Sequence, residues 1–293
     1  EFKAIRACCE RNPVEYIQNA KSYRAKYQKL DEIHFLFMDA YAYTRVGKYH
    51  LAEPILTGIL GKAIIEKNPF FLVHGNLLLS LCFTNDPPKA LSYLMIAEEY
   101  SRDAQDTLLL AACFAFQGDY YQLHRNYKQA EALHIQVQKL LENNDESNIK
   151  LPSLLSLANT SVCAKKYKNA LQYLYKAMSL CKKTHNDQFQ LTLSNNLANV
   201  LMALKRYSEA EEFLFEAQEL SNKLNLGIHR IQVIFSLAVL KLKCKLPQQA
   251  LTYLNECSDL SKEEGFEMPE FLLDLYNNCA IAHSLNGEID QAS

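Results

Sequence analysis

A short motif ending in alanine recurs along the 293-residue chain, and this repetition constrains the fold more than any other feature. Its copies read GKYHLA, PPKA, NYKQA, KYKNA, RYSEA, LPQQA and GEIDQA. The final alanines, separated by 38 to 42 residues, are Ala52, Ala90, Ala130, Ala170, Ala210, Ala250 and Ala292. A nearly fixed period in this range predicts a solenoid, in which each repeat packs on its neighbours.

Other positions keep the same register around this anchor alanine. Twelve residues before it the side chain is small in six of seven copies, at Ala40, Leu78, Gly118, Ala158, Ala198, Ala238 and Ala280. Four residues after it come Leu56, Leu94, His134, Leu174, Leu214 and Leu254. Fifteen residues after it lie turn-forming stretches around Asp145, His185, Asn225 and Gly265. Each unit is therefore expected to be helix A, a short turn, helix B and a second turn.

Composition agrees with an all-α fold. Hydrophobic residues make up 49% of the chain, and Gly and Pro number only 8 each. We expect repeat units over residues 31–68, 69–105, 106–146, 147–186, 187–226, 227–267 and, incompletely, 268–293. Residues 1–30 do not fit the period and are expected to form capping helices. One of them should start at Pro13, with Asn12 as its N-cap.

This layout resembles the tetratricopeptide repeat family from about residue 31 to 293. The resemblance rests on Ala158, Ala170 and Leu174, on Ala198, Ala210 and Leu214, and on their equivalents. It implies a right-handed α-solenoid of antiparallel helix pairs, with about six to seven repeats and helix A on the concave side. The period of 40 departs from the usual 34, and such long units resemble those of bacterial sensors and regulators. Similar long repeats also occur in eukaryotic assembly subunits.

Charge, cysteine content and hydropathy exclude several classes of protein. The formal net charge is −2, so no strongly basic surface indicates nucleic-acid binding. An odd number of cysteines, 9, without regular spacing argues against a disulfide framework and favours a cytoplasmic protein. No run of 18 apolar residues predicts a membrane span. The two ends of the sequence suggest a fragment of a longer protein.

Asparagines recur in helix A, although asparagine is a poor helix former. Asn195 and Asn199 lie four residues apart and share a helix face, and Asn159 takes the equivalent of the Asn199 position. A row of amides can bind the backbone of an extended peptide, and asparagines line the groove of peptide-binding families that these repeats resemble. The alternative is that the amides bond neighbouring helices. Asn196 and Asn277 complete the candidate set. Asn76, Asn196 and Asn278 lie closer to the buried positions of helix A, so they fit the structural alternative better.

Cations are missing where a clamp for a terminal carboxylate would need them. Chaperone-tail receptors of the resembled family place Lys and Arg beside such asparagines, but the corresponding positions here are Leu155, Gln232 and Ser236. Basic residues recur instead at Lys165, Lys205 and Lys245, at the expected end of helix A, where they complement the helix dipole. A weak site for an acidic partner is the alternative.

Aromatic residues concentrate in the first third of the chain, where most are expected to be core. Tyr120, Tyr121 and His124 are the candidates for an apolar or aromatic-lined pocket. Metal-binding, phosphate-loop and hydrolase motifs are missing, so we expect neither an enzyme nor a cofactor nor a metal site.

The sequence thus predicts a non-catalytic repeat domain that binds a protein or peptide segment in its concave groove. A sensory input domain that controls an attached diguanylate cyclase or transcription regulator is the first alternative. A structural scaffold that forms a homodimer is the second. The chain itself is expected neither to bind nucleic acid directly nor to span a membrane.

Overall fold

A computed structural model describes residues 1–144, 148–184, 186–266 and 268–287 of the chain. Every regular element in these ranges is an α-helix, which confirms the predicted all-α class. Asp145, His185 and the last anchor, Ala292, lie outside the described residues. The chain divides into two compact units, residues 1–144 and 145–293.

The first unit contains eight described helices. They are α1 (Phe2–Arg11), α2 (Pro13–Lys26), α3 (Glu32–Arg45), α4 (Tyr49–Glu66), α5 (Pro69–Cys82), α6 (Pro87–Asp103), α7 (Thr107–Leu123) and α8 (Tyr127–Leu140). The side chain of Asn12 accepts a hydrogen bond from the backbone N–H of Glu15, which confirms the expected N-cap of α2. The assignment of residues 1–30 as a cap stays a prediction.

The second unit contains seven helices in its described ranges. They are α9 (Lys150–Cys163), α10 (Tyr167–Thr184), α11 (Asp187–Ala203), α12 (Tyr207–Lys223), α13 (Gly227–Lys243), α14 (Pro247–Glu263) and α15 (Pro269–Leu285). The anchor alanines Ala170, Ala210 and Ala250 lie in the first turn of α10, α12 and α14. We call odd-numbered helices from α3 onward A helices and even-numbered ones from α4 onward B helices.

Helix pairs are the packing unit in both halves of the chain. Each A helix packs against the B helix that follows it, and α3 with α5, α5 with α7, α11 with α13 and α13 with α15 also contact each other. Successive B helices do not pack together to this extent in the described ranges, and neither do α9 and α11. The A helices that contact each other therefore lie closer together than the B helices of the same unit. The predicted division into repeats stays a prediction.

The small residues allow each pair of helices to approach closely. Ala158 and Ala170 are buried, and so are Ala198 and Ala210 in the next pair. Leu174 and Leu214, one turn after the anchors, are also buried. At about 25 cal/mol per Å² of apolar surface, such contacts provide the main stabilisation of a solenoid.

The turn after an A helix has a repeated backbone geometry. Lys165, Lys205 and Lys245 adopt the left-handed conformation, with φ of 58°, 62° and 60°. The next residue then bonds back across the last turn: the N–H of Lys166 donates to the carbonyl of Ser161 at 2.8 Å. This is a Schellman motif, which satisfies carbonyls at the end of the helix.

No described helix is long and apolar enough to cross a membrane.

Candidate functional site

Helix α11 leaves one narrow stripe open to solvent because α10, α12 and α13 pack around the rest of it. Thr192 and Asn195 are half-buried on this stripe, and Asn199 is exposed. Their spacing of three and four residues places them on one face of the helix. Leu191, Leu193 and Leu197, in the same stretch of sequence, are buried in the core. The helix therefore presents two amides and a hydroxyl next to its buried leucines.

Helix α13 presents the equivalent stripe forty residues later. Gln232 is exposed on it, and Phe235 and Val239 are half-buried. Because α11 and α13 pack directly against each other, the two stripes lie side by side. We call these six residues, Thr192, Asn195, Asn199, Gln232, Phe235 and Val239, the uncharged face.

The asparagines fall into two groups according to their hydrogen bonds. Asn76 is buried and donates from Nδ2 to the carbonyl of Leu72 at 2.7 Å, and Asn278 does the same to Asp274 at 2.7 Å. These two amides bond their own helix. In contrast, no side-chain hydrogen bond to another described residue is made by Asn159, Asn195, Asn196, Asn199 or Asn277.

Asn195 has an unusual acceptor. Its Oδ1 atom is buried and accepts no hydrogen bond within the described residues. An unpaired buried acceptor costs on the order of 1–3 kcal/mol, so Asn195 carries a desolvation cost that the exposed asparagines do not.

The other predicted asparagines lie on A helices as well. Asn159 is exposed on α9, at the position that Asn199 occupies on α11, and Asn277 is exposed on α15. Asn196 is half-buried beside Asn195. The neighbouring positions Ser153, Ser194 and Ser236 are buried and belong to the helix contacts.

Tyr120, Tyr121 and His124 form a separate group at the end of α7, in the first unit. The ring centroids of Tyr120 and Tyr121 lie 5.4 Å apart, and those of Tyr120 and His124 lie 4.4 Å apart. The Tyr120 hydroxyl donates to the carbonyl of Pro87 at 3.1 Å, which ties α7 to the start of α6. Burial, with Tyr121 adding to it, raises the pKa of Tyr120. The contacts of Tyr120 are intramolecular, whereas the His124 side chain is exposed.

Most other early aromatic rings belong to the core, as the sequence indicates. Phe2, Phe37, Phe70 and His74 pack edge to face or tilted, with Phe70 and His74 centroids 4.5 Å apart. Burial lowers the pKa of His74 to about 4, and the charge of Arg6 adds to this effect. A cleft of about 340 Å³ lies elsewhere in the first unit, between α3 and α4. Its lining is mainly aliphatic and contains no aromatic ring.

The apolar part of the uncharged face was missing from the sequence-based candidates. Phe235 takes on α13 the position of Asn195 on α11, and Val239 takes that of Asn199. Extending the forty-residue register past the asparagines would have found both. Neither residue stands out in the sequence, because aromatic and aliphatic residues in helices usually belong to the core.

Comparison with known proteins agrees with the architecture of repeated helix pairs. Residues 151–223 match the family model described as tetratricopeptide repeat. No curated protein sequence matches the chain. Among solved structures, the chain is similar to the apo form of RapI, with a TM-score of 0.72 and 13% identity over 99% of this chain and 82% of that one.

Two further structures are similar over most of the chain. One is a signal transduction ATPase with numerous domains and a tetratricopeptide repeat sensor, from Pyrococcus horikoshii, with a TM-score of 0.73 and 16% identity over 98% of this chain and 45% of that one. The other is a Rap protein complexed with competence and sporulation factor, with a TM-score of 0.57 and 17% identity over 86% and 72%. The chain therefore has a tetratricopeptide-like solenoid fold, as the sequence predicted, and this fold is typical of protein-interaction modules.

Proposed function

We propose that the chain is a non-catalytic binding domain whose second unit holds an extended peptide or protein segment along its A helices. The observation that carries the proposal is the set of side-chain amides on Asn159, Asn195 and Asn199 that hydrogen-bond no other residue in the described part of the chain. Each amide offers both a donor and an acceptor, which suits a peptide backbone whatever its side chains. Similarity to a Rap protein complexed with competence and sporulation factor supports this class of ligand.

Binding of a displayed peptide library tests the proposal. Random peptides of about twelve residues, long enough to span several helices, are selected on the immobilised chain. The affinity of the selected peptides is then measured by fluorescence anisotropy. The triple variant Asn159→Ala, Asn195→Ala, Asn199→Ala should raise Kd at least about tenfold, since each net hydrogen bond contributes about 0.5–1.5 kcal/mol.

The chain offers a matched control on three successive B helices. Asn169, Asn222 and Asn255 are exposed on α10, α12 and α14. Their triple replacement by alanine makes the same chemical change on the opposite side of each helix pair, and it should leave Kd unchanged. Equal loss in both triple variants, or no loss in the first, would contradict the proposal. Circular dichroism verifies that both variants keep their helices.

A second candidate function is a sensory input domain, and the similarity to a repeat sensor within a larger signalling ATPase favours it. The chain would then transmit the binding of a segment to an attached output domain. This candidate is tested on the native protein in which the sequence occurs. It would be supported by an adjoining cyclase or helix-turn-helix domain whose activity changes when the selected peptides are added. An output indifferent to those peptides would exclude it. Homodimerisation and a cytoplasmic location stay predictions.

A further inference from the structure

We infer that the ligand of the uncharged face is an extended segment without charged side chains, with an apolar residue about three positions from the backbone amide that α11 binds. This inference rests on the proposed function and specifies its ligand. Three observations carry it: the distribution of charge between A and B helices, the pairing of the charges near the face, and the side-by-side order of amide and apolar residues.

Charge is segregated between the two sides of the second unit. No charged residue occurs in α9 from Leu151 to Cys163, in α11 from Gln188 to Ala203, or in α13 from Ile231 to Leu240. The B helices of the same unit are rich in charge: α10 carries four lysines, and α12 carries five glutamates and a lysine. A solenoid with charges distributed at random over its surface would not leave such uncharged central stretches in three consecutive A helices.

Two of the charges that flank the uncharged face are paired with B helices. Asp187, at the start of α11, accepts from Lys223 of α12 at 2.9 Å. Lys241, near the end of α13, pairs with Glu211 of α12. These pairs direct the charges of Asp187 and Lys241 toward α12 and away from the face. Exposed charges remain at its borders, at Lys243 one turn beyond Val239 and at Asp274 on α15.

A charged side chain on the ligand would lose its hydration against such a face without gaining a partner. Desolvation of an unpaired charge costs several kcal/mol, far more than a neutral side chain loses. The face therefore selects against acidic and basic segments. This separates it from a carboxylate clamp, for which the positions Gln232 and Ser236 provide no cation.

The order of residues across the face sets a spacing in the ligand. Asn195 and Asn199 on α11 suit the backbone, whereas Phe235 and Val239 on α13 provide half-buried apolar surface. Packed helices lie about 8–10 Å apart, and an extended chain advances about 3.3–3.6 Å per residue. A segment bound across both helices therefore places an apolar side chain near Val239 about three residues from the backbone group at Asn199.

Sequencing of the selected peptides tests this inference. The same displayed library is selected on the wild-type chain at an ionic strength of about 0.05 M, where electrostatic attraction would be strongest. We expect the retained peptides to be depleted in Asp, Glu, Lys and Arg relative to the input library. Their Kd should change less than about twofold when the ionic strength rises to about 0.5 M, since screening acts only on charges.

The variant Val239→Lys adds a specific reversal. The added ammonium lies on the uncharged face next to Asn199, so neutral peptides should bind at least about tenfold more weakly, and acidic peptides should be retained instead. The matched control is Thr252→Lys, at an exposed position of α14. It should change neither the affinity nor the composition of the retained peptides.

The outcomes separate this inference from the proposed function. Peptides that depend on Asn159, Asn195 and Asn199 but are rich in one sign of charge, with affinity that falls steeply with salt, would overturn the inference alone. Retention that is the same in the triple asparagine variant would overturn the proposed function and the inference together, as would no retention. Salt-insensitive neutral peptides that require the asparagines support both.

Discussion

Gly118 and His134 depart from the repeat together. Gly118 occupies the small position of helix A on α7, and His134 occupies the usual leucine position of helix B on α8. His134 is fully buried, and a Cβ on Gly118 would lie 2.6 Å from its Nε2 atom. Nε2 also lies 3.3 Å from Oδ1 of Asp119. The glycine therefore provides the room that the imidazole needs.

The physical coupling between these two positions gives a double-mutant prediction. Gly118→Ala alone should lower the free energy of unfolding by about 1–3 kcal/mol, because the buried ring has little room to move. In the background of His134→Leu, which restores the common residue, the same change should cost much less. Urea denaturation of the four proteins measures the coupling. Additive effects of the two changes on the free energy of unfolding would show that Gly118 and His134 are not energetically coupled.

At the scale of elements, the turn after every A helix except α5 uses a left-handed residue. Six turns share it, at Gly47, Arg125, Lys165, Lys205, Lys245 and Gly287. The repeated lysines of the sequence therefore occupy positions where the backbone is left-handed. They also lie at the C-terminal end of an A helix, where a cation complements the helix dipole. An L-residue is strained in this conformation, whereas glycine is not.

Replacing any one of these lysines with glycine should stabilise the chain. We expect Lys165→Gly, Lys205→Gly and Lys245→Gly each to raise the free energy of unfolding by up to about 1 kcal/mol, through relief of left-handed strain. Lys176→Gly, at an exposed position in the middle of α10, is the control and should cost about 0.5–1 kcal/mol. Thermal denaturation followed by circular dichroism distinguishes them. A loss of stability in both kinds of variant would mean that the lysine side chains contribute more than the backbone strain.

At the scale of the whole molecule, the contacts within each unit connect near neighbours in sequence. Among the described helices of each unit, packing joins a helix to the next one or the one after it. Stability in such a chain is a sum of repeat terms and neighbour interfaces, so a local change should spread only a short distance.

Hydrogen exchange should show this limited spread. Gly118→Ala is expected to speed amide exchange in α6, α7 and α8, because α7 packs on both neighbours. Exchange in α13 and α14 should stay as in the wild type. Mass spectrometry of the exchanged chain provides the comparison. Equal acceleration in α14 would show that the chain unfolds as one cooperative body.

The repeat pattern in the sequence was enough to predict the class of fold. The anchors Ala170 and Ala210, with their small partners twelve residues earlier, mark where two helices touch, and this requirement is local and recurs in every unit. Asn12 and Pro13 likewise mark the start of α2, because capping depends on a few adjacent residues. The register also placed the asparagines on helix A, although it could not state which amides would bond their own helix.

By itself, then, the sequence determined the period, the helix pairs and the tetratricopeptide-like class, since these follow from spacing along the chain. Only the tertiary structure decided which side chains of an A helix stay open to solvent, because that depends on the helices packed around it. It separated Asn76, bonded to Leu72, from Asn195, whose Oδ1 is buried without a partner. It also placed Phe235 and Val239 beside the asparagines, which is a relation between helices.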